Sequence, residues 1–286
     1  MKSNLLLVVY LVIAVLLYPF LKYYVDSADT LQYITIAKNY SAGNFADAVN
    51  SFWSPMIAWL LVPFVLFGIE PVFAFKILQV IIGVFTLRLV YYHIDRSNSE
   101  TYIRTALKAA CIPLVLSFAF LFSTPDLLLL TLYVWLVALL KNDRSPLLVG
   151  ICGAALYFTK GFGFAFFIAA STAAYLYKYF SQEIQKKRLA SDILKAYGIF
   201  FLLCAPWIYV ISEKENKFLF SMKSALPAFV LRTGCLLFCN ANCHGSAFNF
   251  FVVQALHRCL AFGHHIHFDK TKTTALARLP VCDHLS

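Results

Sequence analysis

Charge is scarce in this sequence. Asp, Glu, Lys and Arg make up 13% of its 286 residues, and only 14 residues are acidic. A soluble domain carries about 25% charged and about 45–50% apolar residues, whereas here 61% are hydrophobic and the mean hydropathy is +0.73. A soluble fold of this length could not hide so much apolar surface, so lipid has to be the solvent for most of the chain. The sequence also lacks a phosphate-binding loop, a dinucleotide fingerprint, HExxH and GxSxG. Those absences argue against an ATP-driven pump and against the commonest hydrolase plans. No internal repeat and no soluble domain can be discerned. No small-residue cleavage site follows the first apolar run, so that run reads as a retained helix rather than a signal peptide.

What is present is a series of apolar runs: Leu5–Tyr24, Phe73–Tyr92, Ala109–Ser123, Leu127–Leu140, Leu147–Phe158, Phe162–Tyr179 and Ile193–Ile211. A bilayer core about 30 Å thick takes about 20 helical residues. The two shortest runs are therefore expected to begin earlier, one at Pro125 and the other in the polar loop before Leu147. The expected fold is an all-α polytopic bundle of about seven spans. Met56–Phe67 is different, with 12 residues, Pro63 inside and Pro55 before it. A run of that length lies in the interface or re-enters. Val25–Pro71 is thus expected to form one long loop carrying short interfacial helices.

The formal charge of +10 does not point to nucleic acid, because the basic residues fall in short clusters between apolar runs. With the N-terminus cytoplasmic, twelve Lys and Arg residues up to Lys217 fall on the inner side and six on the outer side. Making Met56–Phe67 a span would put the clusters around Arg96 and Lys186 outside, against the positive-inside rule. This topology puts Asp26, Asp29, Asp47, Glu70 and Asp126 together on the outer side.

Three stretches can carry chemistry there. Asp29, Tyr33, Ala37 and Tyr40 share one helical face. A carboxylate just outside the first span can act as a general base, or it can simply serve the first turn of a helix. In Ser123-Thr124-Pro125-Asp126, Thr124 suits an N-cap and Pro125 the first helical position. Asp126 then lies at a membrane boundary, where an acid is costly unless it has a partner or a task. In Thr159-Lys160-Gly161, the lysine can bind a phosphate as a point charge or snorkel at a helix end. Trp53 and Trp59 can anchor at the interface or stack on a sugar.

The chain changes character near Ser224. Five of its eight Cys and six of its seven His lie beyond that point. Residues 1–224 read as a membrane core and 225–286 as a divergent Cys/His-rich segment, such as an out-of-frame or truncated C-terminus would produce. Cys235, Cys239, Cys243 and His244 have only a loose metal-site spacing.

Taken in order, these motifs resemble the membrane glycosyltransferases of the GT-C fold, in particular the protein mannosyltransferase and aminoarabinose transferase group, glycosyltransferase family 39. The likeness covers about residues 1–220. It rests on Asp29 and Tyr33 with Gly43 closing their helix, on Pro55 to Phe67-Gly68, on Asp126 in Thr-Pro-Asp, on Thr159-Lys160-Gly161 and on Pro206-Trp207. The resemblance implies an inverting enzyme of the plasma (inner) membrane, with its active face outside. It would move a sugar from a polyprenyl-phosphate carrier to a lipid, glycan or protein acceptor. Asp29 and Asp126 would be its catalytic acids, and Lys160, Tyr33, Trp53 and Asp26 would bind substrate. No metal is obligatory, although some relatives use one and Asp29 with Asp126 could hold a divalent ion. The alternatives are a multi-pass transporter or lipid flippase, or an inactive truncated transferase.

Overall fold

A computed structural model describes residues 3–25, 27–142, 145–181 and 186–215 of the chain. Asp26 and residues 225–286, including the Cys/His cluster, lie outside them. The described part is 83% helical and contains no strand, as expected where backbone polar groups must be satisfied without water. The elements are α1 (Ser3–Leu21), α2 (Ala28–Ser41), α3 (Phe45–Ala48), α4 (Met56–Leu66), α5 (Pro71–Asp95) and α6 (Thr101–Ser117). A π turn (Phe118–Phe122) follows, then α7 (Asp126–Lys141), α8 (Pro146–Thr159), α9 (Gly163–Phe180) and α10 (Lys186–Lys214).

Six of the seven apolar runs coincide largely with one α-helix each, and Ala109–Ser123 runs from α6 through the π turn. Four helical segments are long and apolar enough to cross a membrane: Ser3–Leu21, Pro71–Asp95, Thr101–Phe122 and Lys187–Lys214. Their outward faces explain the composition. Along α1 only the stripe Leu6, Tyr10 and Ala14 is buried, while Leu5, Val8, Val12 and Val15 point away from the protein. Water would penalise that outward face, and lipid does not. On α10 the stripe Leu189, Ala196, Phe200, Cys204 and Ile208 packs inward, and Leu194, Leu202 and Tyr209 face out. Gly150 of α8 lets α10 approach: a Cβ there would lie 2.4 Å from the Ala196 carbonyl oxygen. Small residues at close helix crossings are a usual membrane packing device.

The segment between α1 and α5 is a cap of three short helices. The capping helix α4 has 11 residues and is not long enough to span. It buries Ile57, Ala58 and Leu61 and packs against α2, α5 and α8.

Polar contacts divide the bundle into two ends. At one, the Ser3 hydroxyl donates to Asp95 Oδ2 at 3.1 Å, and the Lys108 ammonium pairs with Asp95 Oδ1. At the other, the Lys214 ammonium donates to the Ala46 and Val49 carbonyls, both at 2.6 Å, and Glu215 accepts from the Ser51 hydroxyl at 2.6 Å. The last turn of α10 thereby grips the loop between α3 and α4.

Candidate functional site

The second end of the bundle holds the acids. Ser27 caps α2, accepting the Asp29 amide at 3.1 Å, so Asp29 sits in the first turn where a negative charge is favoured. Its carboxylate is half-buried and has no hydrogen-bond or ion-pair partner among the described residues. One helical turn on, Tyr33 is buried, with its ring edge-on to Trp53 at 5.5 Å between centroids. Burial raises the Tyr33 phenol above its ordinary value, and the charges of Asp29 and Asp126 add to the shift. Both carboxylates are therefore close enough for their fields to reach the same phenol. The helix stops at Ser41, and Gly43 turns the chain with φ +74°, a conformation that suits only glycine well.

The second acid comes from a tight corner. The π turn ends at Ser123, which is fully buried and left-handed with φ 44° and ψ 41°. The start of α7 differs from the expected one by a residue. Thr124 does not cap it: Pro125 is the N-cap and Asp126 the first helical residue. The physical reason is that the Thr124 hydroxyl is engaged by the Asp126 side chain, donating to Oδ2 at 2.7 Å. The other oxygen, Oδ1, takes the Lys160 ammonium at 2.5 Å. Lys160 is thus not an open point charge: it is tied to Asp126, with both side chains mostly buried at 22% and 16% exposure. Its ammonium also lies 5.5 Å from the centre of the Phe162 ring.

Lys160 reaches this position because α8 ends at Thr159 and the chain reverses within three residues. The Gly163 amide closes the turn on the Lys160 carbonyl at 2.7 Å. A Cβ on Gly163 would come within 2.1 Å of the Leu156 carbonyl oxygen, so the reversal needs glycine there.

Three residues that the sequence did not single out hold the corner. Lys76 of α5 is 1% exposed, and its ammonium donates to the Phe120 carbonyl at 2.6 Å and to the Ser123 hydroxyl. Thr30 of α2 donates to the Ser123 carbonyl at 2.7 Å, and Gln79 donates to the Thr124 carbonyl at 2.8 Å. The corner bearing Asp126 is therefore bolted to the helix bearing Asp29. A lysine three residues into the apolar run that opens at Phe73 was the available signal, since an ionisable group inside such a run is a functional-site candidate by default.

An aromatic cluster borders the site. Trp59 of α4 packs against Phe158 at 5.4 Å, Trp207 of α10 at 5.5 Å and Tyr40 of α2 at 6.5 Å. Trp53 is half-buried against Tyr33 and Phe52 rather than fully presented to solvent.

A resident divalent ion does not fit the described residues. No group of three or more His, Cys, Asp or Glu converges among them. Asp126 already satisfies Lys160 and Thr124 with its two oxygens, so an ion shared with Asp29 would have to displace both.

No protein-family model matches the chain, and no curated protein or solved structure matches it either.

Proposed function

We propose that the chain is a membrane glycosyltransferase that takes a sugar from a polyprenyl-phosphate carrier, works at the outward end of a bundle of about seven spans, and has its N-terminus in the cytoplasm. The observation that carries this reading is the grouping at one end of the bundle of Asp29, a carboxylate with no partner among the described residues, with a Lys160–Asp126 ion pair, around the buried ring of Tyr33.

The chemistry follows from those groups. Asp29 accepts the proton of an acceptor hydroxyl, and the oxygen so freed forms a bond to the anomeric carbon. The bond from that carbon to the carrier's phosphate oxygen breaks with inversion, and the electron pair leaves on the lipid phosphate. Lys160 offers a preorganised positive charge to that developing anion. Asp126 holds Lys160 in place until the phosphate competes for it. Trp53 flanks the sugar with the buried Tyr33 ring packed behind it, and the aromatic cluster around Trp59 offers an apolar wall for an isoprenoid chain. The transporter reading is less well supported, since the buried Lys76 sits in the second turn of α5 and not at the middle of the helix.

Asp29→Asn tests the reading. Transfer from a polyprenyl-phosphate sugar should fall to background while expression and membrane insertion stay unchanged. Turnover retained in that variant would remove Asp29 from the base role and the reading with it.

A further inference from the structure

From Leu128, near the start of α7, to Asn142, just past its end, α5 and α7 flank a lateral groove of about 670 Å³, within the range of about 300–1,000 Å³ usual for small-molecule sites. The two helices are pinned together at one point, where the Thr86 and Thr131 hydroxyls meet at 2.5 Å. Beside that pin, Ile82, Phe85 and Leu89 of α5 face Leu132, Trp135 and Leu139 of α7 across an apolar channel. The spacing of three or four residues on both helices makes the channel two facing stripes. Because α5 is long and apolar enough to cross a membrane, the exposed Phe85 at the edge of the channel would face hydrocarbon in a bilayer.

Its polar end is cationic. Tyr92 donates to Asn142 Oδ1 at 3.1 Å across the mouth, and the Arg96 guanidinium lies over the Tyr92 ring at 3.9 Å. Arg88, which lines the groove, is exposed. Neither arginine has a carboxylate partner among the described residues, because Asp95 is held by Lys108 and Ser3. Arg88 lies seven residues, roughly 10 Å, before the end of α5, a depth from which an arginine side chain reaches a lipid phosphate by extending toward the interface. A guanidinium beside hydrocarbon is costly without an anion.

We propose that this groove is a binding site for an anionic phospholipid, with one acyl chain between α5 and α7 and the phosphate held between Arg88 and Arg96. Its two arginines lie toward the Asp95 end, and the proposal stands whether or not the chain transfers sugar. A glycerol-type headgroup with net negative charge satisfies both arginines, whereas a choline headgroup brings its own cation to the same place.

The test uses Trp135 as a reporter. The full chain with Trp53, Trp59 and Trp207 replaced by Phe is reconstituted in phosphatidylcholine vesicles containing chain-brominated phosphatidylglycerol or, at equal mole fraction, chain-brominated phosphatidylcholine. The phosphatidylglycerol should quench Trp135 with about tenfold higher apparent affinity, and R88Q with R96Q should bring the two lipids level. Where the triple Trp variant fails to fold, native mass spectrometry of the otherwise unchanged chain replaces it. Phosphatidylglycerol adducts should survive delipidation and disappear in R88Q/R96Q. Equal quenching by both lipids, or a preference that persists without the two arginines, overturns the proposal.

Discussion

Lys160 and Asp126, 34 residues apart in sequence, meet at 2.5 Å with each charge at the end of a helix that favours it. Asp126 opens α7, where amide dipoles stabilise an anion, and Lys160 follows the end of α8, where carbonyls stabilise a cation. Because the two helices are packed side by side, the pair joins their adjoining termini.

Removing the cation should therefore leave a folded protein. In Lys160→Gln, Asp126 keeps Thr124 and the helix N-terminus, so stability should fall by about 1–3 kcal/mol, read as a lower thermal midpoint in detergent. Sugar transfer should fall by about 10²–10³-fold. The charge-exchanged double variant Lys160→Asp/Asp126→Lys should show less of the stability loss than the sum of the singles and none of the activity, since the cation would then sit at the wrong helix end.

Lys76 makes a different claim. Lys76→Met strips the Ser123 hydroxyl of its donor and leaves the Phe120 carbonyl only the long 3.4 Å contact from that hydroxyl, at about 1–3 kcal/mol. Combining it with Ser123→Ala should cost less than the two changes added together. Strict additivity in chemical or thermal unfolding would show that the ammonium does not hold that corner.

Tyr33 sets an alkaline limit. Its phenol titrates above the ordinary tyrosine value of about 10 because of burial and then the two acids. The unfolded chain ionises at the ordinary value, so Tyr33's contribution to stability is complete below about pH 10 and is lost as pH rises toward the higher folded value. Difference absorbance of the phenolate should show one fewer late-titrating tyrosine in Tyr33→Phe, and no change in that variant below about pH 9.

Gly163→Ala should open the reversal that carries Lys160, because the new methyl group would collide with the backbone of Leu156 rather than with a movable side chain. A loss of about 1–3 kcal/mol is expected, accompanied by weaker coupling between Lys160 and Asp126 in a double-mutant cycle. Gly198→Ala, at a position with open space around its Cβ site, is the control and should leave thermal stability unchanged or slightly raised.

How much of this was readable beforehand depends on the kind of signal. Helix positions follow from runs of apolar residues, although α6 begins at Thr101, eight residues before its apolar run, and α10 at Lys186, seven before its own. The face shared by Asp29, Tyr33 and Ala37 follows from a period of 3.6, and Tyr33 and Ala37 are indeed buried on it. The corner at Ser123 was not readable in the same way. A π turn and a left-handed serine depend on hydrogen bonds from Lys76 and Thr30, which lie 47 and 93 residues away. The pairing of Lys160 with Asp126 was hidden likewise, since each residue alone is equally at home as a helix-end charge. Hydropathy alone also does not separate the four segments long and apolar enough to cross, Ser3–Leu21, Pro71–Asp95, Thr101–Phe122 and Lys187–Lys214, from the shorter α7 and α8.

The grip of α10 on the loop between α3 and α4 has a consequence for biosynthesis. Ser51 and Glu215 are 164 residues apart, so at about 5–20 residues per second the ribosome makes the second roughly 8–30 s after the first. During that interval the loop that presents Trp53 has no clamp from α10. The last of the described helices is thus the one that fastens this end, so a chain stalled before Trp207 would have its earlier helices formed and the loop bearing Trp53 still unfastened.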